Sequence, residues 1–184
     1  MTVPTVIRTE RLLLRPFLAE DAPALLPVLE ANQAHLSPWI PEHVWRPVPL
    51  PDLASRLEGN AVAFAADQEW RYAILSPDGT TMIGEVDLFP RAASGRVPYP
   101  EADRAEIGYW LRADMAGRGL ATEAAQAMLD VARSLPRITQ VVIRCDERNA
   151  PSGAVPRRLG FAMTDTEVDG PDLLQVWTRE LRNG

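Results

Sequence analysis

One stretch, Arg104 to Leu135, carries two hydrophobic periods back to back and so limits the chain to folds in which a strand feeds directly into a helix. Arg104 to Leu111 is a β-rich run. After Gly117, Leu120, Ala124, Ala127, Met128, Val131 and Leu135 recur at steps of three and four, with Glu123, Gln126, Asp130 and Arg133 on the other face. The turn between them is Arg112-Ala-Asp-Met-Ala-Gly-Arg-Gly119. Upstream, Arg11–Arg15 reads as a strand, Glu20–Asn32 and Leu53–Ala66 as helices, and Trp70–Leu75 and Thr80–Phe89 as strands joined by the turn Ser76-Pro77-Asp78-Gly79. Downstream, Thr139–Cys145 is a strand, Ala150–Arg158 a short helix ended by Gly160, and Phe161–Val168 and Leu173–Arg179 are closing strands. Antiparallel strands followed by a strand–helix–strand crossover predict the α/β class, α+β type: a mixed sheet of about six or seven strands with helices on both faces.

Composition narrows the function. The 184 residues are 46% hydrophobic, enough for one domain spanning 1–184. All 19 basic residues are arginine, and the absence of lysine excludes a Walker-type phosphate lysine, a Schiff base and a lysine nucleophile. A net charge of −6 argues against general nucleic-acid binding and favours a cationic partner. Cys145 alone cannot close an internal disulfide, and with only His35 and His43 there is no zinc pattern, so no metal is expected. No apolar run approaches a membrane span, and Met1–Glu10 lacks a basic start followed by a hydrophobic stretch; a cytoplasmic protein without a membrane partner is expected.

A strand that enters a helix through glycines leaves unpaired backbone N–H groups converging beside the positive end of the helix dipole, and such a point binds phosphate. Gly117 and Gly119 permit close approach of a ligand, and Arg118 adds charge. The same spacing also suits a tight turn with no ligand. Further on, Asn149-Ala-Pro-Ser152 precedes Leu159-Gly160-Phe161.

Taken together, Glu106-Ile-Gly-Tyr-Trp110, Ala116-Gly-Arg-Gly-Leu-Ala121, Ala121-Thr-Glu-Ala124, Asn149–Ser152 and Gly160-Phe161 resemble the GNAT superfamily of acetyl-CoA-dependent N-acetyltransferases, in particular the branch acting on ribosomal-protein N-termini. The opening Thr9-Glu-Arg-Leu-Leu-Leu-Arg15, with Pro16 and Asp21, is similar to that family's start, so the resemblance spans nearly the whole chain. It implies a centrally splayed sheet and acetyl-CoA as co-substrate. The coenzyme's pyrophosphate would lie on the N–H groups of Gly117, Arg118, Gly119, Leu120, Ala121 and Thr122, and its pantetheine along the edge of Ile107, Gly108, Tyr109, Trp110 and Leu111. Ala116 departs from the family's Gln or Arg, removing a side chain but no backbone contact. Pro156 lies inside the helix after Asn149, lacks an N–H, and predicts a kinked or short helix.

The reaction so implied is direct attack of a primary amine on the thioester. It needs a group to take the amine's proton and an acid for the departing thiolate. Glu106 and Glu85 are the candidate bases; Glu106 also reads as a strand residue paired near Arg104, and Glu85 with Asp87 as a half-exposed strand face or a receiver of a cationic acceptor. By the family pattern Ser152 is the proton donor and Asn149 orders the coenzyme or a water; both also read as ordinary helix-start residues. Cys145 reads as a buried strand residue, or as an acetyl-accepting nucleophile lacking a partner. The proline-rich loop Trp39–Pro51 reads as a lid or acceptor loop, or as a packed loop. The acceptor implied is a protein N-terminus such as that of a ribosomal protein or basic peptide. The alternatives are a small amine (antibiotic, polyamine, amino acid) or a non-catalytic acetyl-CoA sensor, and a homodimer is compatible with each.

Overall fold

The turn at Ser76–Gly79 reverses the chain as its residues demand: Gly79 takes φ 77°, and the Asp78 carboxylate accepts from the Thr80 N–H at 3.1 Å. In this computed structural model, which describes residues 3–181, that turn joins β3 (Trp70–Leu75) to β4 (Met82–Ala92). The other strands are β1 (Ile7–Arg8), β2 (Leu13–Pro16), β5 (Gly95–Arg96), β6 (Arg104–Leu111), β7 (Gln140–Asp146), β8 (Ala162–Asp169) and β9 (Asp172–Glu180). They form one sheet in the order β1-β2-β3-β4-β6-β7-β9-β8, with β5 paired to β4. Every pairing is antiparallel except β6 with β7, the crossover through the long helix. The expected mixed sheet is thus present. The two-residue strands β1 and β5, too short to show a period, were not foreseen.

Helices α1 (Ala22–Leu36), α2 (Glu42–Trp45) and α3 (Leu50–Ala65) are joined to one core, where Leu25, Leu29, Leu53 and Leu57 pack with Ala73, Leu75 and Trp110 of the sheet. Helices α4 (Leu120–Ser134) and α5 (Ala150–Arg158) belong to the other, where Ala124, Met128, Val131 and Val155 meet Val86, Leu88 and Ile107. Each large apolar side chain so buried contributes about 1.5–3 kcal/mol. Alternation along β6 assigns Trp110 to the first core and Ile107 and Leu111 to the second. Helix α3 starts at Leu50, earlier than its apolar period suggests, because Pro51 falls in the first turn, where its missing N–H costs no helical bond. Helix α2 lies inside the Trp39–Pro51 stretch read as a loop; its single turn is too short for a period.

Candidate active site

The sheet opens where β6 leaves β7. Their parallel register runs only through Arg104↔Gln140, Ala105↔Val141 and Glu106↔Val142. Beyond it β6 stays with β4 to Leu111↔Gly84 and β7 stays with β9 to Asp146↔Leu174. Ile107–Leu111 therefore presents a backbone edge unpaired on its β7 side, and the fork is the central splay that the family resemblance implied.

At the top of β6 the chain turns through Ala113–Met115 into the exposed residues Ala116–Gly119, and α4 begins. Gly117 and Gly119 take φ 74° and 78°, left-handed values that glycine adopts without steric cost. The helical ladder starts with Glu123 donating to the Gly119 carbonyl at 3.0 Å, leaving the N–H groups of Leu120, Ala121 and Thr122 free of helical partners. They open on a cavity of about 430 Å³ lined by Arg11, Gly117, Gly119, Thr122, Gln126 and Arg158. Two cations here escaped the sequence reading. Arg11 donates through Nε to Glu123 Oε2 at 2.7 Å and through Nη1 to the Arg118 carbonyl at 2.9 Å, and its backbone N–H bonds Glu123 Oε1 at 2.8 Å. Glu123 thus ties the chain's opening segment to the glycine turn and aims a guanidinium at the helix terminus. The signal was present in Thr9-Glu-Arg11 and Thr122-Glu123, but 112 residues separate the partners. Arg11→Ala is expected to weaken coenzyme A binding about tenfold, the scale of one partly exposed charge-assisted contact; isothermal calorimetry checks this.

Helix α5 resolves the concern over Pro156. Asn149 caps the helix by accepting from the Ser152 N–H at 3.1 Å, and Pro151 lies in the first turn. The helix continues through Pro156 to Arg158 instead of ending early. Pro156 has no N–H for the carbonyl four residues before it, that of Ser152. The Tyr109 hydroxyl, reaching across the fork, donates to that carbonyl at 3.0 Å and lies 3.3 Å from Ser152 Oγ. A proline that breaks the helical ladder thus frees the acceptor that binds β6 to α5. Tyr109→Phe is expected to cost about 0.5–1.5 kcal/mol, the net worth of one part-buried hydrogen bond. Pro156→Ala in that background restores a donor and should recover part of the melting temperature. Burial pushes the Tyr109 pKa well above the usual tyrosine range, so the hydroxyl stays protonated.

Across the sheet, on the α1–α3 side, Glu85 and Asp87 share a face of β4. Both are buried, which corrects the half-exposed reading. Glu85 accepts from Trp110 Nε1 and from Arg71 Nη1, each at 3.1 Å; flanking strands and helices supply the cover that strand alternation alone could not reveal. Glu85 and Trp110 line a cavity of about 240 Å³ together with Leu25, His43, Val44, Arg56, Leu57, Asn60, Glu69 and Arg71. The Trp39–Pro51 segment contributes His43 and Val44, so one histidine does reach this cavity; His35 is exposed on α1. Glu106 stands at the vertex of the fork, but its carboxylate accepts from Arg91 and from Arg144 Nη2, the latter at 2.9 Å. Its partners are these diagonal cross-strand neighbours and not Arg104, whose guanidinium bonds Asp103 at 2.9 Å. Cys145 is buried, and burial pushes its thiol up. Among the described residues no group of three or more His, Cys, Asp or Glu side chains could hold a metal ion.

A strand fork beside a helix terminus with free N–H groups, with a second cavity on the opposite face, is an arrangement suited to an acyltransferase that draws its acyl group from a coenzyme A thioester. Residues 11–162 match the family model described as an acetyltransferase (GNAT) domain, and the chain belongs to the GNAT family of acetyl-CoA-dependent N-acetyltransferases. The Bacillus subtilis protein YdaF, named "Putative ribosomal N-acetyltransferase", is 34% identical over 67 residues, covering 36% of this chain and 37% of its own length. YnaD of the same organism, named "Uncharacterized N-acetyltransferase", is 23% identical over 84% of this chain and 81% of its own. Among solved structures the fold is shared with RimL, a ribosomal L7/L12 alpha-N-protein acetyltransferase in complex with coenzyme A (TM-score 0.79, 22% identity, 100% of both chains). It is shared also with MccE, the microcin C7 self-immunity acetyltransferase in complex with acetyl-CoA and AMP (TM-score 0.80, 20% identity, 96% of this chain and 97% of that one).

Proposed function

We propose that this enzyme acetylates the α-amine of a protein or peptide N-terminus. The observation that carries the reading is the cavity on the α1–α3 side: about 240 Å³, lined by the carboxylates of Glu69 and Glu85 together with the guanidinium groups of Arg56 and Arg71, and set against β6, whose free edge would receive the thioester. Its size lies below the roughly 300–1,000 Å³ of pockets for drug-sized ligands, which suits the first residue of an extended chain. The likeness in fold to RimL supports the same acceptor class.

In this reading the N–H groups of Gly117–Thr122, with Arg11 and Arg158, hold the coenzyme's pyrophosphate, and the edge Ile107–Leu111 pairs with its pantetheine. The neutral amine attacks the thioester carbonyl carbon directly; the C–N bond forms, the C–S bond breaks, the sulfur takes a proton from Ser152 Oγ, and the proton that the nitrogen sheds as the amide forms returns through solvent to restore the Ser152 hydroxyl. Tyr109, in contact with Ser152, orients that hydroxyl. Ser152→Ala is therefore expected to lower kcat about 100-fold while changing coenzyme A affinity little, because a proton donor to the thiolate acts in the transition state. The function is tested by thiol release from acetyl-CoA in the presence of lysine-free peptides with free N-termini, against a panel of small amines. Turnover confined to small amines would replace the proposal with the second reading, which the likeness to MccE supports.

A further inference from the structure

Asp87 is the unexplained group in the buried charge layer. Its Oδ1 is fully buried and has no hydrogen-bond partner among the described residues, while Oδ2 lies 3.8 Å from Arg71 Nη1, too far for a hydrogen bond. Native proteins rarely strand a buried carboxylate oxygen. Beside it, two residues along the same strand face, stands another carboxylate: Glu85 Oε1 and Asp87 Oδ2 lie 3.1 and 3.8 Å from the same nitrogen, Arg71 Nη1. Two carboxylates so placed satisfy one another when they share one proton. The Asp87 side chain also packs over Gly108, its cross-strand partner on β6: a Cβ at that position would stand 3.4 Å from Oδ2. Gly108 lies in the segment whose other side is the free edge of the fork. The pair thus bridges the acceptor cavity, which Glu85 lines, and the strand beside which the thioester would lie.

We propose that Glu85 and Asp87 act as one carboxylate pair that receives the proton of the acceptor ammonium, Glu85 meeting the amine and Asp87 setting the pair's basicity from behind. This inference rests on the acetyltransferase reading of the site. With both groups ionised, the pair takes one proton from R–NH3+ and retains it between the two carboxylates, leaving R–NH2 to attack. The second proton shed by the nitrogen as the amide forms matches the one delivered to the thiolate, so the turnover releases a single proton to solvent from the pair. Coupled carboxylates titrate in two separated steps, the upper one raised above the usual carboxylate range. Burial first, and then the neighbouring Glu85 charge, push Asp87 well above the usual carboxylate range. The groups around the pair act in both directions: Arg71 and Arg56, with Arg96 of β5, favour ionisation, Glu69 opposes it, and His43 stands at the cavity wall. Asp87 is in this sense a positioning residue.

The test combines kinetics with a direct titration. Asp87→Asn preserves shape and removes the upper step. With a lysine-free peptide bearing a free N-terminus, kcat at pH 7 should fall about 10–100-fold, and the acidic limb of the kcat/KM profile should move to lower pH. The melting-temperature increase given by coenzyme A should remain. In the wild type, carbon-13 NMR of labelled Asp and Glu carboxyls should show one group titrating far above the rest; that group should disappear in Asp87→Asn and move to lower pH in Glu85→Gln, where burial alone still raises it. A folded Asp87→Asn with a wild-type pH profile, or two carboxyls titrating independently at about 4, would overturn the pairing. Failure of the wild type to acetylate any peptide would refute the α-amine acceptor, and the carboxyl titration would then decide the pair by itself.

Discussion

Coenzyme A at a hundredfold its Kd raises the melting temperature of the wild-type protein by roughly 5–10 °C, and Gly119→Asp abolishes the increase. The first half follows from mass action: a ligand bound only by the folded state adds about 2.7 kcal/mol at that concentration, and a chain of this length gains about 2–4 °C per kcal/mol. The second half follows from the helix terminus. Gly119 is the N-cap of α4 at φ 78°, and a Cβ there would stand 3.5 Å from Arg11 Nη2. The new carboxylate would place negative charge where phosphate must approach and would pair with the Arg11 guanidinium, withdrawing that cation from the ligand. Asn and Asp tolerate the left-handed conformation alike, so Gly119→Asn controls for backbone cost and should keep a measurable shift. A Gly119→Asp protein that retained the full shift would mean that the phosphates bind elsewhere.

Much of this site was legible because its parts are local. The strand Arg104–Leu111, the glycine turn and the amphipathic helix are consecutive, and each declares itself by its own period or by residues that only certain turns accept. The α5 boundaries, Ala150 and Arg158, agree with the reading from Asn149 and Gly160 for the same reason. What escaped was non-local. Arg11 acts on the glycine turn only because Glu123 holds it, and nothing in either neighbourhood announces the other. Pro156 looked like damage to a helix. Its consequence, a free Ser152 carbonyl, becomes a tie only once the fork brings Tyr109 against it. Burial of Glu85 and Asp87 was invisible because strand alternation names the residues that share a face and not what covers that face.

A peptide with a free N-terminus and no lysine is expected to be acetylated at least about 100-fold faster than one of equal charge with a blocked N-terminus and an internal lysine. The argument is one of proton arithmetic. An α-amine has a pKa near 7.7–8.0 and a lysine side chain one near 10.4, so at pH 7 about a tenth of the former is neutral against roughly one in 2,500 of the latter. The gap of about 2.5 units corresponds to about 3.5 kcal/mol that a lysine-directed enzyme must supply through its base. Neither carboxylate site here is built for that. Glu106 accepts from Arg91 and Arg144, and Glu85 from Arg71 and Trp110, so each carboxylate is already committed to hydrogen bonds inside the sheet. Such a base suffices for an α-amine already close to neutrality. The net charge of −6 should further favour peptides with basic residues near their start, by a steering effect that added salt weakens. Initial rates of thiol release for the two peptides decide the matter. Faster reaction of the blocked lysine peptide would show that the cavity orders and deprotonates a long aliphatic amine, and the acceptor would then have to be sought among lysine side chains.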